Sequence, residues 1–182
     1  MQESYTITHA TRALSLCRGI FVKKLTDYGA SWRIMRPMSI TDQLFIKAKR
    51  IRTLETDTAM VNEGILPEFM ALVNYGIIGL IQIELGYSDC ADITPEKATE
   101  LYDRYATVTL DLMAAKTHDY GDAWRDMRVI SYTDLILTKI QRIKQIEDND
   151  GATVISEGID ANLMDIINYA IFAIIKLTDG EE

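Results

Sequence analysis

The stretch of sequence that decides the fold occurs twice in the chain. Residues 24–55 read KLTDYGASWRIMRPMSITDQLFIKAKRIRTLE, and residues 116–147 read KTHDYGDAWRDMRVISYTDLILTKIQRIKQIE. Aligned at an offset of 92 without a gap, 15 of the 32 positions are identical. The match resumes at an offset of 94, where Asn74-Tyr75 corresponds to Asn168-Tyr169. The pattern therefore predicts a tandem duplication, with a first repeat at residues 1–91 and a second at residues 92–182.

Hydrophobic periodicity predicts three helices in each repeat and no strand. The six predicted helices are Thr8–Lys24, 39–55 and 66–85 in the first repeat, and Pro95–Lys116, 131–147 and 160–178 in the second. Thr94 precedes a proline and is a predicted N-cap. Gly29 and Gly121 are predicted to end the first helices. The sequences SITD at 39–42 and SYTD at 131–134 have the pattern of capping boxes, which would open the second helices.

The resulting fold class is all-α, with two pseudo-symmetric three-helix units packed into one pseudo-two-fold bundle. At 182 residues the chain has the length of about one domain. The third helices are apolar on nearly all sides, so we expect them at the centre. Their apolar stretches, Phe69–Ile83 and Leu163–Leu177, are shorter than the roughly 20 residues that cross a bilayer. Core helices, and no membrane association, are therefore expected.

Composition narrows the function further. With 48% hydrophobic and 25% charged residues, the chain has the composition of a soluble globular protein. Its net charge of −8 argues against direct binding to a nucleic-acid duplex. Two cysteines and two histidines exclude a disulfide framework and a Cys/His zinc site, and indicate a reducing, cytoplasmic compartment. The first repeat carries a net charge of +1 and the second −9, so a cation is more readily sought in the second.

Polar residues interrupt the apolar face of the second helix in both repeats. Lys47 and its counterpart Lys139 fall inside the apolar stripe at 100° per residue. Arg50 and Arg142 lie on one edge of that stripe, and Glu55 and Glu147 lie on the other. A lysine on a core face is costly unless it is paired. We therefore expect each lysine to meet an acidic side chain, with a neighbouring helix as its source.

The third helix supplies such partners unequally. Asp165 and Asn168 are three residues apart and share a face of the helix. The first repeat keeps the amide as Asn74, but Ala71 stands where the second repeat has its aspartate. Glu157 precedes the third helix of the second repeat, as Glu63 does in the first. The two repeats are therefore predicted to differ at this site, with the first repeat the weaker or inactive one.

The loop after each first helix carries aromatic and basic residues. Tyr120 and Trp124 could stack on a base, and Arg125 and Arg128 could bind a phosphate, because guanidinium binds phosphate bidentately. Each residue also has a structural reading, as core packing, an ion pair or a solvated loop charge. The chain has no P-loop, Rossmann or nucleophile-elbow motif. Carboxylates, amides and lysines on helices suit Mg²⁺ or Mn²⁺ together with a phosphate substrate.

The repeated pattern Lys-x-x-Asp-Tyr-Gly-x-x-Trp-Arg-x-Met-Arg is followed by Ser-x-x-Asp, Lys-x-x-Arg-Ile and a late Asn-Tyr. It resembles the bacterial and phage family described as nucleotide modification associated, over residues 24–80 and 116–177. More distantly, the chain resembles the all-α MazG-like nucleoside triphosphate pyrophosphohydrolases. Those enzymes hold Mg²⁺ against the triphosphate with Glu-Glu-x-x-Glu on one helix and Glu-x-x-Asp on the next. Here the second helix offers only Glu147 or Glu55, and the third offers Asp165-x-x-Asn168.

The resemblance implies a nucleotide-binding protein, in one form a Mg²⁺- or Mn²⁺-dependent pyrophosphohydrolase of a modified nucleoside triphosphate. Lys139, Glu147 and Asp165 are then the catalytic candidates, and Glu147, Asp165 and Glu157 the metal ligands. The substrate-binding candidates are Tyr120, Trp124, Arg125, Arg128, Arg142 and Asn168 in the second repeat and Lys47, Arg50 and Asn74 in the first.

Two alternatives remain open at this point. One is a binding module that senses or carries a nucleotide without catalysis, which the lysines and arginines of the second helix favour. The other is a structural helical module that works through protein partners. In the first two cases the partner is a nucleotide or another phosphate-bearing small molecule. A homodimer is compatible with all three.

Overall fold

The all-α prediction is confirmed by the computed structural model, which describes residues 5–56 and 64–179. Within these ranges the chain forms helices and no strand. The helices are α1 (Tyr5–Tyr28), α2 (Pro37–Thr56), α3 (Leu66–Leu85), α4 (Pro95–Tyr120), α5 (Val129–Asp148) and α6 (Ile159–Thr178). Short 3-10 turns at Ser31–Ile34 and Ala123–Asp126 follow α1 and α4. Glu63, noted above as the counterpart of Glu157, lies outside the described residues.

The two third helices form the centre of the bundle, as their sequences predict. α3 and α6 cross closely because α3 has glycines at the crossing. A Cβ atom on Gly76 would lie 2.6 Å from Cγ1 of Ile167, and one on Gly79 would lie 2.9 Å from Cδ1 of Leu163. Both helices are long and apolar enough to cross a membrane by length and composition alone. However, 67% and 61% of their apolar windows are buried inside the fold, which is consistent with a soluble protein.

Reciprocal contacts between α2 and α5 reveal the pseudo-two-fold axis. The Thr41 hydroxyl donates to Oε1 of Glu147 at 2.7 Å, and the counterpart Thr133 hydroxyl donates to Oε1 of Glu55 at 2.8 Å. Each bond joins one repeat to the other, at an offset of 92. Burial raises the pKa of both carboxyl groups, while the threonine hydroxyls act in the opposite direction. The two glutamates therefore hold the repeats together.

The predicted capping boxes are wrong, because both second helices begin two residues before the serine of the box. Arg128 occupies the N-cap position of α5, without a side-chain cap. The aspartates of the two boxes form ion pairs between the repeats instead. Asp42 binds Lys144 at 3.1 Å, and Asp134 binds Arg52 at 3.0 Å. What looks like local capping chemistry in the sequence is thus an inter-repeat contact.

The predicted N-cap at Thr94 and the glycines predicted to follow the first helices are confirmed. The Thr94 hydroxyl accepts a hydrogen bond from the backbone N–H of Lys97 at 3.2 Å and caps α4. Gly29 and Gly121 follow the first helices with φ of +65°, a conformation that favours glycine. These helices extend to Tyr28 and Tyr120, one turn beyond the predicted ends, because a polar run does not by itself stop a helix.

Candidate functional site

Lys47, the lysine on the apolar face of the second helix, pairs with an acid on the next helix, as the sequence predicts. Nζ of Lys47 on α2 lies 3.3 Å from Oε2 of Glu68 on α3. Nη1 of Arg50, one turn along α2, donates to Oε1 of the same glutamate at 2.7 Å. Glu68 is buried, so the two cations compensate its charge. Lys47 and Arg50 are therefore committed to an ion pair.

The second repeat also pairs its lysine, but with a different carboxylate. Nζ of Lys139 on α5 lies 2.6 Å from Oδ2 of Asp165 on α6, and Nζ of Lys116 on α4 lies 2.6 Å from Oδ1. Asp165 is only 6% exposed. Burial alone would raise the pKa of Asp165, but the hydrogen bonds and charges of the two lysines outweigh it and lower the pKa. Three helices thus meet at one carboxylate.

The carboxylate has moved by one helical turn between the repeats. Aligned at the offset of 94, Glu68 of α3 corresponds to Asn162 of α6, and Ala71 corresponds to Asp165. Each repeat therefore has one acid on this face of its third helix, and the two acids stand three residues apart in the aligned sequences. In the second repeat the acid is out of register with Arg142, the counterpart of Arg50. Within the described residues, Arg142 makes no ion pair or hydrogen bond.

Arg142 borders a cleft of about 630 Å³ between α5, the 149–158 loop and the start of α6, hereafter the α5–α6 cleft. Its polar lining includes Lys139, Gln145, Glu157 and Asn162. Gly158 precedes α6 and provides no side-chain cap, so the first N–H groups of this 20-residue helix are not capped by that residue. The volume lies within the roughly 300–1,000 Å³ of small-molecule sites.

The three proposed metal ligands are not gathered into one cluster. Both oxygens of Asp165 bind lysines, and Glu147 accepts a hydrogen bond from Thr41 at the inter-repeat contact. Glu147 lies eight residues after Lys139, which places it about 12 Å further along α5. Glu157 borders the cleft alone. Among the described residues, no group of three or more His, Cys, Asp or Glu side chains is arranged to hold a metal ion.

The aromatic candidates of the second repeat are in different environments. The Trp124 ring stacks on Phe172, with 4.7 Å between centroids and 12° between planes. Its Nε1–H donates to the Thr6 hydroxyl at 2.9 Å, and that hydroxyl donates to Oδ1 of Asp122 at 2.7 Å. Trp124 is therefore a packing residue. Tyr120, at 79% exposed, is free to meet a ligand but does not line the α5–α6 cleft.

The arginines of the loop motif serve separate purposes. The guanidinium carbon of Arg125 lies 4.1 Å from the ring centroid of Tyr5, a cation–π contact. Arg128 is exposed at the start of α5. Neither one lines the α5–α6 cleft.

In the first repeat the corresponding Arg33 is buried and structural. Its Nε donates to Oδ1 of Asp92 at 2.7 Å, and its Nη1 donates to Oε1 of Gln82 and to the Gly86 carbonyl. The Gln82 amide in turn donates to the carbonyl of Met35 at 2.9 Å. This network ties the 3-10 turn to the end of α3. It was not predicted, because the Trp-Arg motif is identical in the second repeat, where Lys176 replaces the glutamine.

The two motif asparagines differ in the same way. Nδ2 of Asn74 donates to the Cys17 carbonyl at 3.1 Å, and its Oδ1 accepts from the Tyr102 hydroxyl at 2.7 Å. Asn74 thus connects three helices and is satisfied without a ligand. The side chain of Asn168 is buried and has no hydrogen-bond partner among the described residues. Ala10 occupies the position equivalent to Tyr102, so no tyrosine hydroxyl is present to donate to Oδ1 of Asn168.

Sequence reasoning missed two members of this charge system. Glu68 was not predicted as the partner, because position 71 is the one that differs from Asp165 at the predicted site. Glu68 lies one turn earlier on the same helical face. Lys116 belongs to the repeated motif, but the sequence analysis did not predict its ion pair with Asp165. The repeated lysine at positions 24 and 116 was a usable signal, since only the second repeat has an acid at the position that binds it.

A comparison with family models matches the description "Nucleotide modification associated domain 1" to residues 24–83 and 116–177. The two segments correspond to the two repeats and together cover more than half of the chain. No curated protein and no solved structure matched the chain. These comparisons do not show the more distant resemblance to MazG-like enzymes.

Proposed function

The chain belongs to the family of Nucleotide modification associated domain 1, and on that premise we propose that its second repeat binds the phosphate groups of a nucleotide in the α5–α6 cleft. The ligand is a soluble small molecule met in the cytoplasm. Binding is the proposed activity, because lysines occupy both oxygens of Asp165 and Glu147 accepts a hydrogen bond from Thr41 away from the cleft.

One observation carries the proposal: Arg142 has lost the carboxylate that neutralises its counterpart. In the first repeat Glu68 binds Arg50 at 2.7 Å, whereas Asn162 occupies the equivalent position opposite Arg142. A guanidinium without a protein partner in a cleft of this size is available to an anion. Its planar, two-pronged donor geometry matches phosphate bidentately.

The charges around Arg142 are nearly balanced, although the second repeat as a whole is strongly acidic. Lys116, Lys139 and Arg142 supply three cations, against the three carboxylates of Asp165, Glu157 and Asp160, the last in the first turn of α6. The start of α6 adds the positive end of a helix dipole on the same side. The side-chain charges therefore cancel locally, while the repeat as a whole carries −9. A multiply charged phosphate chain fits this arrangement better than a neutral ligand.

Calorimetric titration of the full chain with nucleoside mono-, di- and triphosphates, and with inorganic tripolyphosphate, tests the proposal. We expect affinity to rise with the number of phosphates. Arg142→Ala should weaken binding roughly tenfold to a hundredfold, as expected for losing a hydrogen bond to a charged group. Arg128→Ala is the matched control, because Arg128 is equally exposed but lies outside the cleft. Equal affinities for the two variants would refute the assignment of the cleft.

A further inference from the structure

The first repeat contains a separate cavity of about 300 Å³, hereafter the Trp32 cavity. It lies between α1, the 3-10 turn and α3. Its walls are mainly aromatic and aliphatic, and include Phe21, Tyr28, Trp32 and Ile78. The repeated Asp-Tyr-Gly-x-x-Trp motif forms one side of this cavity, so the motif has a use in the first repeat that the α5–α6 cleft does not involve.

In the second repeat a phenylalanine ring packs against the corresponding tryptophan. Phe172 stands where the first repeat has Ile78, and its ring stacks on Trp124 with 4.7 Å between centroids. The corresponding tryptophan, Trp32, has no such partner on α3 and borders open volume. The cavity is therefore a specific difference between two copies of one motif.

A free cation lies at the edge of the Trp32 cavity. Lys24 lines it and makes no ion pair within the described part of the chain. Its counterpart Lys116 is held by Asp165, but the first repeat has Ala71 at that position. The adjacent carboxylate of Asp27 does not bind Lys24 either. The ammonium group can therefore meet an anionic ligand at the mouth of the cavity.

Trp32 itself carries an unsatisfied donor. Its Nε1–H is buried and has no hydrogen-bond acceptor among the described residues. The counterpart N–H of Trp124 donates to Thr6, and Ala98 stands at the position equivalent to Thr6. Buried donors without acceptors are rare and costly, and each calls for an explanation. Trp32 therefore packs beside the cavity without the hydrogen bond that holds Trp124 in the second repeat.

We infer that the Trp32 cavity is a second ligand site, which takes one planar aromatic group bearing a single anionic substituent. The ring lies against Trp32 and Tyr28, and the anion binds Lys24. The volume is at the lower end of small-molecule sites, which suits a mononucleotide better than a dinucleotide. That the aromatic anion is a nucleoside monophosphate rests on the proposed function. The location of the site does not.

The second repeat supplies the variant that tests the inference. Ile78→Phe introduces the ring that packs against the corresponding tryptophan in the second repeat, and Ile78→Val is the matched control that leaves the cavity open. Lys24→Gln removes the charge from an exposed position and cannot disturb the core. All three are placed in an Arg142→Ala background, so that the α5–α6 cleft does not contribute. Each protein is titrated calorimetrically with AMP, GMP, CMP and UMP and with the four nucleosides.

We expect at least one monophosphate to bind the background protein. Ile78→Phe should lower the affinity for that monophosphate more than tenfold, and Ile78→Val should change this affinity less than about threefold. Lys24→Gln should weaken the monophosphate about tenfold and leave its nucleoside unchanged. Failure of all four monophosphates, or equal binding by a folded Ile78→Phe protein, would overturn the inference. If Ile78→Phe does not fold, an unchanged affinity in Lys24→Gln overturns it. The loss of tripolyphosphate binding in Arg142→Ala, measured with Lys24 intact, reports on the α5–α6 cleft, so the two proposals fail separately.

Discussion

Restoring the missing carboxylate should close the α5–α6 cleft to phosphate. Asn162→Glu places an acid on α6 at the position that Glu68 occupies on α3. There Glu68 binds Arg50 at 2.7 Å and Lys47 at 3.3 Å. By the pseudo-symmetry of the repeats, the new carboxylate should bind Arg142 in the same way and neutralise it.

The expected changes in phosphate affinity and in stability follow from the interactions that Asn162→Glu removes and adds. A phosphate that loses its hydrogen bond to the guanidinium forfeits about 1.5–3 kcal/mol, which is roughly a tenfold to hundredfold loss of affinity. The fold loses the bond from Nδ2 of Asn162 to the Gly158 carbonyl, worth about 1 kcal/mol. Asn162 is only 4% exposed, so desolvation of the new carboxylate offsets much of its attraction to the exposed Arg142, and the ion pair returns about 0.2–1 kcal/mol. Stability should therefore change by less than about 1 kcal/mol while binding collapses.

Calorimetric titration with tripolyphosphate measures the affinity, and urea unfolding measures the stability. Asn162→Gln is the matched control, because glutamine has the size of glutamate without its charge. We expect the control to bind nearly as the unsubstituted chain does. If the glutamate and glutamine variants bind tripolyphosphate equally well, Arg142 does not carry the phosphate site and the reasoning is refuted.

Three further substitutions have definite expected outcomes. Asp165→Asn should cost about 3 kcal/mol at pH 7, the low end for a broken buried pair because one of its two lysines is half exposed. Since the pKa of Asp165 is lowered in the fold, its contribution is present above the unfolded pKa of about 3.9 and is lost as the pH falls through the folded value. Urea unfolding should therefore show the two proteins converging in strong acid, and a constant difference would contradict the ion pair. Thr6→Val should cost about 1–3 kcal/mol in urea unfolding, because it removes the acceptor of the Trp124 indole N–H, and an unchanged midpoint would show that this bond contributes nothing. Glu147→Gln should leave tripolyphosphate affinity unchanged in calorimetry, since Glu147 binds Thr41; a loss above tenfold would return Glu147 to the site.

The fold could be predicted because the repeat and its periodicity are local to the sequence. The lysines at 47 and 139 interrupt an apolar stripe, and that alone predicts an acidic partner on another helix. Their partners could be narrowed to a helical face but not to one position, since an acid at either of two adjacent turns reaches the same lysine. Which turn carries the paired acid depends on how far the two side chains reach, and helical periodicity gives no information about that distance.

The candidate site was predicted less well, because its geometry depends on contacts between repeats. Glu147 shares an edge of its helix with other polar residues, and only the packing of α2 against α5 directs it to Thr41. Identical motifs also acquired different roles from residues outside them. Arg33 is buried through Gln82 and Asp92, whereas Arg125 lies over Tyr5.

The most direct test of phosphate binding in the second repeat is a calorimetric titration of the unsubstituted chain with a nucleoside triphosphate in excess EDTA. Because the described cleft offers cations and no metal cluster, we expect binding at full strength without a divalent ion, weakening as salt is raised. Binding that requires Mg²⁺ or Mn²⁺, accompanied by release of pyrophosphate, would contradict this and establish a metal-dependent hydrolase instead.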